Sequence, residues 1–151
     1  MPGTIPLFTI GYEGKTSEEF LAELSAAGIG TLVDIRRRAM SRKKGFAKSA
    51  LKANLATAGI GYDHLPDLGA PTDIIRMKDN PDHTPMLIEY ERRLPEAMPA
   101  IEQLMAMIET SAEAQPLCLM CFEADPLRCH RHVLTRFLVE QQGMSLEVTD
   151  L

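Results

Sequence analysis

The sequence predicts an α/β protein, a three-layer sandwich with a mainly parallel sheet of about five strands flanked by helices. Short apolar runs alternate along the chain with segments of helical periodicity, the pattern typical of strand–helix–strand units. Residues 116–122 are apolar without alternation, as expected of a strand that is covered on both faces. The chain has 151 residues and no internal repeat, so we expect a single domain over residues 1–151.

The first half of the chain is predicted to contain three strands and two helices. Thr16 followed by Glu19 is a capping-box signature, which marks the start of a helix. Gly28 and Gly59 are typical of helix ends. These signals predict, in order, a strand at 7–11, a helix between Thr16 and Gly28, a strand at 31–36, a helix over about 47–58 and a strand at 60–64.

The second half begins with residues 65–85, which are rich in Pro, Gly, Asp and Asn and are predicted to be mostly a loop, suggestive of a lid or binding loop. Residues 86–113 have helical periodicity, and Pro95 and Pro99 are expected to divide the helix. A strand at 116–122, a helix that ends at Gly143 and a strand at 145–149 complete the prediction.

Composition limits the class of protein. No apolar run approaches the ~18 residues of a membrane span, and the first six residues lack the pattern of a secretory signal. Three cysteines, an odd number, then favour free thiols and a cytoplasmic location, with no membrane partner.

The charge is unevenly distributed. The net charge is −5, yet residues 36–52 contain eight of the sixteen Lys and Arg residues and no acidic residue. Such a block can be a solvated face, or it can attract a polyanion or a phosphorylated ligand. The members of this basic segment are Arg36, Arg37, Arg38, Arg42, Lys43, Lys44, Lys48 and Lys52.

Unusual polar residues follow the predicted strands, where the carboxyl ends of parallel strands meet at one edge of the sheet. Ligands of open α/β sheets bind at that edge, so the convergence predicts a functional cleft. The converging residues are Glu13, Asp34, Arg36, Asp63, His64, Cys121, Glu123 and the turn at 129–131.

The turn from Cys121 to Arg131 has the densest chemistry. Cys129 would lie near a helix N-terminus, where amides and neighbouring Arg128, His130 and Arg131 would favour a nucleophilic thiolate; the alternative is a small buried residue. Backbone amides and Arg131 could hold an anion beside it. Cys118, in mid-strand, is expected to be core.

Other roles remain open at this point. Thiolate and imidazole ligands for zinc or iron could come from Cys121, Cys129, His130, His132 and His64, but their spacing matches no standard motif, so we assign no metal ligand and no cofactor. The carboxylates Glu13, Asp34 and Glu123 could exchange protons or pair with arginines. His64 could act as a base or bind the backbone, and Tyr12 could offer its ring to a nucleobase or belong to the core.

The chain resembles the DUF488 family, a group of mainly bacterial and archaeal proteins without an established activity. The resemblance implies an α/β sandwich with a shared polar site and does not imply a reaction. It is carried, in this order, by Gly11-Tyr12-Glu13-Gly14, Val33-Asp34-Ile35-Arg36, Ser41-Arg42 with Gly45-Phe46, Tyr62-Asp63-His64 with Leu68-Gly69, and Cys121-x-Glu123 with Cys129-His130-Arg131.

Three functions follow as hypotheses. The first is binding of a phosphorylated or nucleotide-like anion at the strand ends, with thiol or carboxylate catalysis by Cys129, Cys121, Glu123 or Glu13. The alternative is a non-catalytic nucleic-acid or nucleotide-binding module, or a metal or redox-thiol protein. The candidate ligand-binding residues are Tyr12, Asp34, Arg36, Arg42, His64, His130 and Arg131.

Overall fold

The fold is built on a five-stranded sheet in which every strand is parallel to its neighbours. A computed structural model describes residues 4–71, 73, 84–111 and 114–151. The strand order is β3-β2-β4-β1-β5, which confirms the predicted α/β class. The strands are β1 (Ile5–Gly11), β2 (Thr31–Asp34), β3 (Gly61–His64), β4 (Leu117–Cys121) and β5 (Leu146–Asp150).

Five α-helices belong to the described part of the chain. At the start of the first, Thr16 Oγ1 accepts the Glu19 N–H at 3.1 Å and the Glu19 carboxylate accepts the Thr16 N–H at 3.0 Å, so the predicted capping box is present. The helices are α1 (Ser17–Ala26), α2 (Lys48–Thr57), α3 (Thr84–Arg93), α4 (Met98–Thr110) and α5 (His130–Glu140).

The structure bears on three predictions of local structure: the end of the second strand, the division of the long helix and the loop at 65–85. The second strand was expected to reach Arg36 but ends at Asp34, whose carboxylate accepts the Arg36 N–H and turns the backbone away from the sheet. The predicted division of the long helix is confirmed, because a 3-10 segment at Leu94–Ala97 separates α3 from α4. Residues 72 and 74–83 of the predicted lid lie outside the described residues, and Pro85 belongs to α3 rather than to a loop.

Side chains of the central strand β4 point alternately into two apolar cores. Cys118 and Met120 pack in the core beneath α1 and α2, whereas Leu119 and Cys121 pack beneath α3, α4 and α5. All five residues of β4 are buried, as predicted for a strand with helices on both faces. The sheet is therefore the middle of three layers.

The strand register brings the carboxyl ends together at one edge. Gly11 pairs with Cys121 across β1 and β4, and Asp34 pairs with Met120 across β2 and β4. The loops that leave β1, β2 and β4 consequently start side by side. Among the helices that the structure describes, none has the length and apolar character needed to cross a membrane.

Candidate functional site

A cleft of about 350 Å³ opens at the carboxyl ends of the strands. Its walls come from the loops after β1, β2, β3 and β4, from the start of α5 and from one residue of α3. The lining residues are Tyr12, Arg36, Arg37, Arg38, Met40, Ala70, Met86, Cys121, Phe122, Glu123 and His130.

Asp34 and Arg36 form a buried ion pair at the end of β2. Arg36 Nε donates to Asp34 Oδ1 at 2.9 Å and Nη2 donates to Oδ2 at 2.7 Å, while Nη1 donates to the carbonyl of Phe46 at 2.7 Å. Burial acts to lower the pKa of Arg36, but the hydrogen bonds and charge of Asp34 outweigh it and raise that pKa above its usual range. Of the roles left open for Asp34, the structure shows the ion pair with arginine.

Tyr62 completes this buried polar group. Its hydroxyl donates to Asp34 Oδ2 at 2.7 Å, and burial together with the Asp34 carboxylate raises the pKa of Tyr62 above its usual range. His64 Nε2 lies 2.7 Å from the carbonyl of Arg36, which can only accept, so Nε2 carries the proton. His64 thus binds the backbone, the second of its two predicted roles, and it does not line the cleft.

Tyr12 forms an aromatic wall of the cleft. Its ring stacks on Phe46 with centroids 4.6 Å apart, meets Phe122 edge-on at 5.3 Å and lies 5.4 Å from the guanidinium carbon of Arg36. Phe46 therefore occupies one face of Tyr12. The ring that reaches solvent is Phe122, which is 37% exposed.

The remaining arginines of the basic segment differ in their contacts. Arg37 Nη2 donates to the Gly69 carbonyl at 3.0 Å, and the Arg37 Nε is buried without a partner in the described part of the chain. Arg38 is exposed and forms no hydrogen bond or ion pair with any residue that the structure describes. Arg42 is also exposed, but it is not among the lining residues.

Two of the three cysteines are bonded to each other. Cys121 ends β4, Cys129 caps the N-terminus of α5, and a disulfide joins them, so the expectation of free thiols is wrong for this pair in this structure. Cys118 is free and fully buried in the core, as predicted, and burial raises the pKa of its thiol. Cys129 is 0% exposed. Its sulfur could therefore act as a nucleophile only after the disulfide is reduced and the side chain becomes accessible to a substrate.

His130 lies against the cysteine pair. Its Nδ1 is 3.7 Å from Cys129 Sγ, and its Nε2 is 3.2 Å from the carbonyl of Ile35. The two sulfur atoms and Nδ1 all lie within 4.8 Å of one another, which makes these three residues the possible metal-ligating group of the described residues. His132 and His64, the other histidines considered as ligands, do not belong to this group.

Arg131 points into the protein instead of toward a ligand. The side chain is 0% exposed and donates to Thr9 Oγ1 at 3.1 Å, to Cys121 Sγ at 3.0 Å and to the carbonyls of Glu123 and Ala124 at 2.6 and 3.3 Å. Arg131 does not line the cleft, so the expectation that it holds an anion is not supported by its position. Its neighbours are strand and loop atoms, which it ties together.

The two glutamates occupy different places. Glu123 lines the cleft and is half-buried. The exposed Glu13 accepts the Ala124 N–H at 3.0 Å and so braces the loop after β4 from outside the cleft. Sequence reasoning did not select Arg38, Met40 or Phe122; of these, only Arg38 had a signal, because it belongs to the basic segment.

Comparison with known proteins gives a family and no activity. No curated protein and no solved structure matches the chain. The family described as a domain of unknown function, DUF488, matches residues 16–138, which include the ion pair at 34–36 and the turn at 121–131. Since the match covers most of the chain, the protein belongs to the DUF488 family.

Proposed function

We propose that the protein binds a small anionic ligand of the phosphorylated or nucleotide-like class in the cleft at the strand carboxyl ends. The observation that carries the proposal is Arg38, an exposed cation on the cleft wall that has no partner among the residues the structure describes. A guanidinium in this position can form charge-assisted hydrogen bonds with a phosphate without breaking an existing ion pair.

Apolar surface beside Arg38 favours a ligand with an organic body. Met40 is 74% exposed and Phe122 is 37% exposed, and both line the cleft together with the buried Met86. A cleft with a cation on one side and apolar side chains around it suits a molecule that has both a charged and an apolar part. A nucleotide and a phosphorylated aromatic or aliphatic compound both meet this description.

If a chemical step follows binding, Cys121 and Glu123 are the candidate catalytic groups that line the cleft. Glu13 and Cys129 are not among the lining residues, although both were candidates from sequence. Cys121 could attack only in its reduced form, whereas the carboxyl group of Glu123 could exchange a proton in either form. Binding does not depend on which of these roles is used.

The test compares two arginine variants by calorimetry. The ligands are inorganic phosphate, adenosine monophosphate and uncharged adenosine. We expect the charged nucleotide to bind best and Arg38→Ala to weaken its binding about 10- to 100-fold, the cost of losing a hydrogen bond to a charged group. Arg42→Ala is the matched control, because Arg42 is exposed on the same segment but outside the cleft. Equal effects of the two substitutions, or equal binding of adenosine, would rule out the proposed site.

A second candidate function is binding of a nucleic-acid backbone. Four cations of the basic segment follow the cleft-lining residues in the sequence, are exposed and have no partner among the described residues. They are Arg42, Lys44, Lys48 and Lys52. An oligonucleotide that binds there would lose affinity steeply with salt, and Arg42→Ala would weaken it more than Arg38→Ala. The same pair of variants therefore separates the two candidates.

A further inference from the structure

We propose that reduced Cys121 and Cys129 bind a zinc ion together with His130 Nδ1, with an open fourth position toward the cleft. The three ligand atoms already lie within 4.8 Å of one another. Typical Zn–S and Zn–N bond lengths at a tetrahedral angle place S and N about 3.6 Å apart. The observed separation between Cys129 Sγ and His130 Nδ1 is 3.7 Å, so these two ligands need little movement.

The imidazole of His130 is held in the tautomer that a metal requires. The Ile35 carbonyl can only accept, so the ring Nε2 donates its proton there at 3.2 Å and the neutral ring has its lone pair on Nδ1. A metal-bound histidine is typically oriented by such a hydrogen bond from its second nitrogen. The ring of Tyr90 packs edge-on against His130 with centroids 5.0 Å apart, which further fixes its plane.

Arg131 supplies an independent indication that Cys121 is a thiolate in one state of the protein. Its guanidinium is fully buried, and it forms no ion pair with a carboxylate in the part of the chain that the structure describes. The carboxylate of Asp150 reaches this charge only through the hydroxyl of Thr9, and burial of a charge that is not directly paired is costly. Cys121 Sγ, 3.0 Å from Nη1, is the one hydrogen-bond partner of Arg131 that can carry a negative charge, and it does so only as a thiolate.

The disulfide and the zinc site exclude each other, because they use the same two sulfur atoms. The Cα atoms of Cys121 and Cys129 are 7.3 Å apart, beyond the usual range of about 4.4–6.8 Å for protein disulfides. Once the pair is reduced, this wide spacing leaves room for a metal ion between the two sulfurs. A dithiol or phosphine reductant, itself oxidised to a disulfide or a phosphine oxide, supplies the two electrons that with two protons convert the disulfide to two thiols, and zinc then displaces the thiol protons.

The site has the ligand count of a reactive zinc centre. Structural zinc sites have four protein ligands, whereas catalytic sites have three and an open position. Cys121 and His130 both line the cleft, so the open position faces it. Two thiolates balance the charge of Zn²⁺, so the open position can take water or another small ligand. Zinc binding itself does not depend on the anion proposed above.

The test uses Co²⁺ and Zn²⁺ alone on the full chain. The protein is reduced with a phosphine, treated with a chelator and desalted under argon before titration with Co²⁺. We expect one equivalent to bind with sulfur-to-cobalt charge-transfer absorption and the visible bands of tetrahedral cobalt, and Zn²⁺ to displace it. Wild-type protein without this charge-transfer band would overturn the proposal, whatever its affinity for anions.

Variants identify the ligands. Cys129→Ser and His130→Gln should each weaken Zn²⁺ binding by more than the 10- to 100-fold that is typical for loss of an outer partner. His132→Gln is the matched control, because His132 lies two residues along α5 and outside the ligand group, and it should leave affinity unchanged. Circular dichroism confirms that each variant is folded. Equal losses of Zn²⁺ affinity for His130→Gln and His132→Gln would contradict the assignment. For a variant that does not fold, the cobalt spectrum of the wild-type protein remains the test of the site.

Discussion

Arg131 contacts Cys121 directly, with Nη1 of the guanidinium 3.0 Å from the sulfur at the end of β4. The same side chain donates to the carbonyls of Glu123 and Ala124, the next part of the chain after that strand. A residue of the first turn of α5 thus holds the cleft wall from behind. The position of this wall therefore depends on Arg131, a residue that does not itself line the cleft.

Arg131→Met should destabilise the protein by about 1–3 kcal/mol, because the partly buried carbonyl groups of Glu123 and Ala124 lose their donor. Urea denaturation followed by circular dichroism measures this change. Arg42→Met removes an exposed arginine with no partner among the described residues and should change the free energy of unfolding by less than about 0.5 kcal/mol. A loss below about 1 kcal/mol for Arg131→Met would contradict the structural role.

Asp34→Asn should also destabilise the protein by about 3–5 kcal/mol, since it leaves the charge of buried Arg36 uncompensated. The free energy of unfolding in urea again gives the answer. Asp63→Asn is the control, because Asp63 is an exposed acid on the neighbouring strand and has no partner among the described residues. Similar values for the two variants would mean that the ion pair contributes little to stability.

Gly11→Ala should disrupt the cleft itself. A Cβ at this position would lie 1.7 Å from the carbonyl oxygen and 2.4 Å from the carbonyl carbon of Glu123, so the backbone after β4 would have to move. Gly59→Ala is the control for a simple glycine effect: Gly59 has a φ of +71° with open space around it, and its replacement should cost about 1 kcal/mol. Thermal denaturation should show a clearly larger drop in Tm for Gly11→Ala, and equal drops would argue against the close approach.

Cys118 should be the slowest cysteine to alkylate in reduced, metal-free protein, and Cys121 the fastest. Cys121 is only 1% exposed but lies at the cleft wall, whereas Cys118 is enclosed in the core and burial raises the pKa of its thiol. Peptide mass spectrometry after timed iodoacetamide treatment measures each rate. Labelling of Cys118 at the rate of Cys121 in the folded protein would contradict this order.

The same pKa shift gives a pH dependence. The thiol of Cys118 ionises at about pH 8.5 in the unfolded chain but stays protonated in the fold. The unfolded state therefore loses a proton first, so the contribution of this group to stability falls as pH rises above about 8.5. Urea denaturation from neutral to alkaline pH should show a steeper loss for the wild type than for Cys118→Ala. Parallel curves would indicate that the folded thiol ionises normally.

Most of the fold followed from local patterns in the sequence. The apolar run at 116–122 identified the central strand because helices cover both of its faces, and Thr16 with Glu19 identified the start of α1 because the capping box satisfies its first amides. The end of β2 was wrong by two residues. That error arose because the Arg36 N–H donates to the Asp34 carboxylate and not to a neighbouring strand. The apolar periodicity of the sequence does not show which acceptor a backbone N–H uses.

The candidate site was predictable in place and less so in detail. Strand topology brings Asp34, Cys121 and Glu123 to one edge, as expected of parallel strands. Whether a side chain at that edge points toward the cleft or into the protein depends on packing across the sheet. Arg131 turns inward because the ends of β1 and β4 offer it acceptors, and Met86 enters the cleft from a helix distant in sequence.

The strand order β3-β2-β4-β1-β5 has a consequence for synthesis on the ribosome. Strands β1 and β2 emerge first, but they are joined only through β4, which lies more than 80 residues after β2 in the sequence. Until residues 117–121 emerge, the nascent chain has an unfilled gap in the middle of its sheet and unpaired edges on both sides of it. Such edges are prone to wrong pairing. The cleft therefore cannot form until β4 has been inserted between β2 and β1. A nascent chain that ends before β4 does not contain it.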